Sequence, residues 1–176
     1  MPLDITAFFA AIHGLFFLLL SARVILQRRS AGIAWGDGDD REMKRRIRAQ
    51  ANAAEYMPIG LILLGLLEIQ GLQSWALLGL GALFLAGRLI HGWAFSFAGA
   101  PMGLRVLGTA LTLTGLGLLS LAALVLAMTF GVGVLATGWH RPSDTVGAYL
   151  VCVVWFALGI FITSIIFQAR AREETG

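Results

Sequence analysis

Cysteine and charged side chains are both scarce in this sequence of 176 residues. The single cysteine, Cys152, lies inside an apolar run and cannot form an intrachain disulfide, so we predict a packed thiol. Cysteine and histidine do not recur at the spacing of metal ligands, and no glycine-rich stretch ends as a phosphate loop does. Charged residues make up only 13% of the chain, against 58% hydrophobic residues. That ratio excludes a soluble domain with a polar shell and predicts that lipid is the solvent.

The sequence contains long apolar segments with few charged residues. A bilayer core of about 30 Å requires about 20 mostly apolar residues in a helix. Five helices that contain such segments are predicted at about 5–26, 41–67, 75–97, 104–130 and 145–167, and the second of them enters lipid only around Tyr56. The second begins outside the membrane near Arg41, and Pro101 favours a break before the fourth. We predict an all-α integral membrane protein whose first segment is a retained helix, because no basic stretch precedes it as in a signal peptide.

The basic residues gather on one side of this five-helix arrangement. The positive-inside rule places loops rich in Lys and Arg in the cytoplasm. One side would carry Arg23, Arg28, Arg29, Arg41, Lys44, Arg45, Arg46, Arg48, Arg105, Arg170 and Arg172, and the other side Arg141. We therefore predict an N-terminus outside and a C-terminus in the cytoplasm. The net charge of +3 is explained by membrane orientation and does not indicate nucleic acid binding.

The fourth segment is rich in small residues that would let a neighbouring helix approach closely. These residues are Gly108, Thr109, Thr112, Gly115 and Ser120. We predict close helix packing along this segment.

Ionisable groups within a membrane helix are costly, so those that occur usually face the bundle interior and mark function. Arg48, Asn52 and Glu55 lie at i, i+4 and i+7, which places a cation, an amide and a carboxylate on one face of the second helix, beside Tyr56. An arginine that only anchors lipid headgroups needs neither the amide nor the carboxylate. We predict a binding surface here.

Glu68 lies near the other end of the second helix. The only polar residues close to it in the sequence are glutamines. We therefore predict that Glu68 is a residue of the membrane interface.

A second set of cationic groups converges on the same cytoplasmic side. Arg88 and His91 are three residues apart in the third segment and share a face. Arg105 begins the fourth segment and Arg23 ends the first at that side. Such a set would suit an anionic ligand with carboxylates or a thiolate. Two simpler interpretations stay open: the arginines anchor lipid headgroups, and His91 is a hydrogen-bonded packing residue.

The start of the second helix resembles a known signature. Residues 48–58 read Arg-Ala-Gln-Ala-Asn-Ala-Ala-Glu-Tyr-Met-Pro. They are similar to the signature of the MAPEG family, the membrane-associated proteins in eicosanoid and glutathione metabolism. The Ser-Ala-Arg sequence that ends at Arg23, and Arg88 with His91, add to the resemblance. It covers about residues 5–130.

The resemblance implies a four-helix MAPEG-like subunit in residues 1–130 and a homotrimer, with glutathione bound between adjacent subunits near the cytoplasmic face. The residues implied to contact glutathione are Arg23, Arg48, Asn52, Glu55, Tyr56, Arg88 and His91. Arg105 would be the catalytic residue, because a nearby guanidinium favours the thiolate form of glutathione. The second substrate would be a hydrophobic small molecule that arrives from the membrane lipid. Residues 131–176 would add a fifth transmembrane helix and a cytoplasmic tail, which is unusual for the family.

Two functions are consistent with these residues. The first is a glutathione transferase or peroxidase of the bacterial inner membrane that acts on hydrophobic electrophiles. The second is a non-catalytic subunit that keeps the family scaffold and docks onto a larger membrane complex through the fifth helix. The second rests on that added helix and on Phe95, which stands where relatives carry a tyrosine seven residues after the third-helix arginine. The spacing from Pro101 to Arg105 is also longer than in the family pattern, which leaves the register of Arg105 open by about a turn.

Overall fold

The computed structural model of the chain describes residues 3–96, 100–136, 146–158 and 161. Its helices are α1 (Asp4–Ala31), α2 (Arg41–Ile69), α3 (Ser74–Ser96) and α4 (Met102–Ala136), followed by an apolar helix α5 described over Val146–Leu158. The helices α1 to α4 are each long and apolar enough to cross a membrane. The predicted all-α membrane fold is confirmed. The predicted end of the fifth segment, and Arg141, Arg170 and Arg172, lie outside the described residues.

An ordered loop joins α1 to α2. The chain leaves α1 through Gly32 in the left-handed conformation (φ 66°), whose N–H bonds the carbonyl of Arg28. Asp40 begins α2 as its N-cap, because its carboxylate accepts a hydrogen bond from the N–H of Met43. These caps explain why the predicted start near Arg41 is confirmed.

The core of the first compact unit, Met1–Leu126, forms where α1, α2 and α3 pack together with α4. One apolar cluster contains Phe9, Leu64, Leu67, Leu77, Phe84 and Leu119. A second cluster, nearer the α1–α2 loop, contains Leu20, Ala49, Ala53 and Met57. Large apolar side chains such as Leu15 and Leu18 remain exposed on the outer faces, as expected for helices that contact lipid.

The helices α3 and α4 cross at very short range. A methyl group at Gly87 would lie 2.5 Å from the backbone nitrogen of Thr112, and one at Gly108 would lie 2.5 Å from that of His91. The predicted close packing is confirmed at Gly108 and Thr112, and also at Gly115. The side chains of Thr109 and Ser120, from the same predicted set, are exposed in the subunit.

Glu68, near the end of α2, is a buried residue that contacts the beginning of α1. It is 8% exposed. Its two carboxylate oxygens accept hydrogen bonds from the backbone N–H groups of Ile5 (2.9 Å) and Thr6 (2.7 Å). Leu3, the N-cap residue of α1, makes no side-chain capping bond. Glu68 of α2 therefore caps α1 from across the bundle and places a negative charge at its positive end.

Replacing Glu68 with glutamine is expected to lower the free energy of unfolding by about 2 kcal/mol, because one charge-assisted bond is lost and an amide donor faces a backbone donor. Unfolding in mixed micelles with increasing denaturing detergent measures the effect. The control is Asp4→Asn, which removes an exposed charge from the first turn of α1 and leaves both hydrogen bonds to Glu68 intact. A loss below about 1 kcal/mol is expected for that control. Equal losses in the two variants would contradict the capping role.

The second compact unit, Ala127–Gly176, contains the end of α4 and the described part of α5. Within it, the hydroxyl of Tyr149 donates a 3.0 Å hydrogen bond to the carbonyl of Ala127. Cys152 is exposed, so the prediction of a packed thiol is wrong. The reason is that the side chains around it on α5, such as Val151 and Val153, are exposed as well.

Candidate functional site

Arg88 is the centre of a polar network inside the bundle. It is only 1% exposed, although it is a charged residue in a membrane helix. Its Nη2 donates to Oδ1 of Asn52 at 2.8 Å, and its Nη1 donates to Oγ1 of Thr112 at 3.3 Å. The guanidinium carbon also lies 5.4 Å from the ring centroid of Tyr56. Arg88 thereby links α2, α3 and α4, and its charge is stabilised by dipoles and a ring face in place of water.

The local sequence explains why these partners meet. Asn52 and Tyr56 are four residues apart on α2 and project from the same face toward α3. Thr112 lies at the close crossing of α3 and α4, and its hydroxyl donates to the carbonyl of Gly108 at 2.8 Å. Its oxygen is therefore left as an acceptor for Arg88.

An aromatic ring connects His91 with Arg105. His91 lies one turn after Arg88, is 6% exposed, and stacks on Phe95 with a centroid separation of 4.6 Å and an interplanar angle of 28°. The guanidinium carbon of Arg105 lies 5.0 Å from the centroid of the same ring. The structure thus brings Arg105, near the beginning of α4, to Phe95 near the end of α3.

Two neighbouring cavities open beside these side chains. The smaller has a volume of about 80 Å³ and is lined mainly by polar residues, among them Asn52, Tyr56 and Arg88. The larger has a volume of about 590 Å³ and is mostly apolar. Its lining residues include Phe95, Met102, Arg105, Val106 and Ala110. Both cavities share His91, Thr109 and Leu113, so a polar chamber and an apolar groove meet at these three residues.

The other predicted site residues lie elsewhere on the subunit. Arg48 and Glu55 are exposed on α2. A helix turns about 100° per residue, so Tyr56 and Asn52 are rotated toward α3, whereas Arg48 and Glu55 lie on the outward half of the same predicted face. Arg23 donates from its Nη2 to the carbonyl of Ser96 at 2.7 Å and so stabilises the C-terminal end of α3.

The basic cluster at the start of α2 is paired with acidic residues. Arg45 and Arg46 contact Glu42 at 2.9 and 2.8 Å. The ammonium of Lys44 donates a 2.8 Å hydrogen bond to Asp39, which lowers the pKa of that loop carboxyl. The Lys44–Asp39 pair joins the α1–α2 loop to α2, and the two pairs with Glu42 lie within the first turns of α2.

Sequence reasoning missed the chemical roles of two residues near the site. The pattern of small residues predicts only a packing role for Thr112, which is in fact also an acceptor for Arg88. The resemblance to the family marks Phe95 only by the hydroxyl that it lacks, whereas the structure shows its ring in contact with both His91 and Arg105. A signal for Thr112 does exist, because a buried arginine needs several acceptors and a hydroxyl on a packed neighbouring helix can supply one.

Comparison with known proteins covers the part of the chain that builds this site. Residues 6–125 match the model of the MAPEG family. Inner membrane protein YecN of Escherichia coli strain K12 is 34% identical over 91 residues, which are 52% of this chain and 70% of that protein. The protein of the same name from Escherichia coli O6:H1 strain CFT073 gives the same values. The matched range includes every candidate residue from Arg23 to Arg105, and this chain is a member of the MAPEG family.

Proposed function

We propose that this chain is a membrane glutathione transferase or peroxidase that acts on hydrophobic electrophiles, with glutathione as co-substrate. The observation that carries the proposal is the polar chamber around Arg88, which adjoins an apolar groove with Arg105 at its wall. A reaction between the thiolate of a polar tripeptide and a lipophilic molecule needs a polar site and an apolar site that adjoin each other. Family membership supports the assignment to glutathione chemistry.

Glutathione fits the donor and acceptor groups of the polar chamber. It carries two carboxylates, an ammonium and two amides, and Asn52, Tyr56 and His91 offer partners for such groups. The chamber's volume of about 80 Å³ matches only a few water molecules, so most of the tripeptide must extend beyond it. The exposed Arg48 and Glu55 lie on the next part of α2 and would receive a carboxylate and the ammonium.

The exposed charges also support a contact between copies of the chain, and the resemblance to the family implies that the assembly is a homotrimer. A carboxylate such as Glu55 is expensive on a helix surface that contacts lipid. A second copy of the chain that covers this face of α2 would remove Glu55 from lipid and close the binding site at the subunit interface. We therefore infer that glutathione lies between subunits, with Arg23 and Arg48 completing the cationic surroundings.

Arg105 would act on the sulfur. Its guanidinium stabilises the thiolate that remains when the glutathione thiol releases its proton to water. In the transferase reaction, the thiolate forms a carbon–sulfur bond with the electrophile, and the displaced group leaves with its electron pair. In the peroxidase reaction, the thiolate attacks a hydroperoxide oxygen, the O–O bond breaks to give glutathione sulfenic acid, and the alkoxide takes a proton from water and leaves as the alcohol. A second glutathione thiol then attacks the sulfenic sulfur, which forms the disulfide and releases water. The lipophilic substrate would enter the groove from the lipid.

The location follows from the same arguments. We propose the bacterial inner membrane, where the name of the relative, inner membrane protein YecN, also places that protein. The distribution of Lys and Arg favours a cytoplasmic side for the α1–α2 loop and for the candidate site, with the N-terminus outside and the C-terminus in the cytoplasm.

A second candidate function is a non-catalytic subunit that docks onto a larger membrane complex. The observation that favours it is α5, which lies beyond the residues matched by the family and exposes large apolar side chains such as Trp155 and Phe156. Such a helix offers a surface for another membrane protein.

Glutathione binding to the purified protein in lipid nanodiscs distinguishes the two functions. Calorimetry is expected to detect binding, and the ultraviolet absorbance of the bound thiolate is expected to appear below the pH at which free glutathione ionises. S-methylglutathione is the control, since it should bind without the thiolate absorbance. Absence of binding, together with co-purification of a stoichiometric membrane partner, would reject the enzyme and favour the docking subunit.

A further inference from the structure

We propose that Phe95 is a positioning residue that holds the guanidinium of Arg105 against its ring face without neutralising it. This inference rests on the proposed function, because it explains how Arg105 would keep its full charge for the thiolate. Related proteins carry a tyrosine at this position. Phe95 has no hydroxyl, and it instead offers its ring face to Arg105 in a cation–π contact.

The first observation concerns what surrounds Arg105. Within residues 3–96 and 100–136, no carboxylate or carbonyl bonds its guanidinium, and its Nε is buried without an acceptor. The contact that the structure gives this cation is the Phe95 ring, 5.0 Å from the guanidinium carbon. An aromatic face attracts a cation through its quadrupole.

The second observation concerns the ring itself, which is held on more than one side. His91 stacks on Phe95 at 4.6 Å. Phe95 also packs against the apolar cluster that contains Leu20, Ala53 and Met57. A ring held in this way keeps a fixed orientation, and the guanidinium on it is fixed in turn at the wall of the apolar groove.

The electrostatic consequence separates this contact from a salt bridge. A carboxylate beside Arg105 would cancel most of its field at a nearby sulfur. The benzene ring carries no net charge, so the cation is positioned while its field remains available to an anion. The groove is mostly apolar, and it screens that field less than water would.

The test measures the pKa of the thiol of bound glutathione, by thiolate absorbance against pH, in ring variants of the full-length protein in nanodiscs. Phe95→Leu is expected to raise that pKa by about one unit, which lowers the thiolate fraction and kcat/KM by about tenfold at pH values below that pKa. Phe95→Tyr keeps the ring face and is expected to stay within about twofold of the wild type. An unchanged thiol pKa in Phe95→Leu would overturn the proposal.

A matched control separates positioning from packing. Phe16 packs against the same apolar cluster, and Phe16→Leu makes the same chemical change away from Arg105. It is expected to lower the melting temperature and leave the thiol pKa unchanged. If Phe95→Leu does not fold, Phe95→Met, which is unbranched and adaptable, serves in its place. A thiol pKa that rises equally in Phe16→Leu would also overturn the proposal.

A double-mutant cycle without glutathione keeps this inference distinct from the proposed function. The melting temperatures of Phe95→Leu, Arg105→Met and the double variant are expected to be non-additive, because each single change removes the same contact. If the wild type binds no glutathione but the cycle is non-additive, the contact stands and the enzyme assignment fails. Strictly additive shifts would reject the contact whatever the ligand.

Discussion

Replacing Arg105 with alanine is expected to lower kcat/KM for glutathione conjugation by about 10²–10³-fold, the range seen when one preorganised donor to a developing anion is removed. The physical reason is that Arg105 carries a positive charge with no hydrogen-bond or ion-pair partner among residues 3–96 and 100–136, at the wall of a mostly apolar groove. Without that charge the thiol of bound glutathione should ionise at a higher pH. Thiolate absorbance against pH and steady-state kinetics with a lipophilic electrophile measure the two effects.

The affinity of Arg105→Ala for glutathione shows whether the variant has lost binding or only rate. Arg105 lines the apolar groove and is absent from the lining of the polar chamber, so the dissociation constant should change much less than the rate. The control variant is Arg29→Ala, which removes an exposed arginine near the end of α1 and should leave the rate unchanged. Equal activity of Arg105→Ala and the wild type would remove Arg105 from the mechanism.

Replacing Gly108 with alanine is expected to lower the free energy of unfolding by about 2 to 3 kcal/mol, the upper part of the range for overpacking a close contact. The added methyl group would meet the backbone nitrogen and Cα of His91, which cannot move as a side chain can. The helices α3 and α4 would have to separate, and the bond from Arg88 to Thr112, already 3.3 Å long, would lengthen. Detergent unfolding and glutathione binding should both be impaired.

Gly117→Ala is the matched control on the same helix. A methyl group at Gly117 has open space within 4 Å, so the change should be neutral or stabilise α4 by up to about 1 kcal/mol through helix propensity. If both variants lose the same stability, the effect belongs to glycine in a membrane helix generally and not to the crossing of α3 and α4.

The helices were predictable because the membrane imposes a simple requirement on sequence. Every backbone polar group in lipid must be satisfied within the segment, so long apolar runs become helices and polar glycine-rich stretches become their connections. The start of α2 near Arg41 and the break before α4 followed from these rules. The lengths did not follow fully, since α4 continues to Ala136 where the apolar pattern indicated an end near Phe130.

The candidate site was predictable in part. Spacing placed Arg88 with His91, and Asn52 with Tyr56, on common helix faces, and the structure brings these four side chains to one cavity. Periodicity does not state where a neighbouring helix covers a face. Arg48 and Glu55 therefore share a face with Asn52 in the sequence pattern, yet remain exposed on the subunit.

By itself, the sequence predicted that this protein consists of membrane helices and that its basic residues gather toward one end, because both properties depend on composition and on spacing along single helices. Only the tertiary structure decided that Glu68 caps α1, that Thr112 accepts from Arg88, and that Phe95 lies between His91 and Arg105. Each of these contacts joins residues from different helices, or fixes a side chain against a neighbouring helix. Their existence depends on the rotation and closeness of packed helices, which the pattern along one helix does not specify.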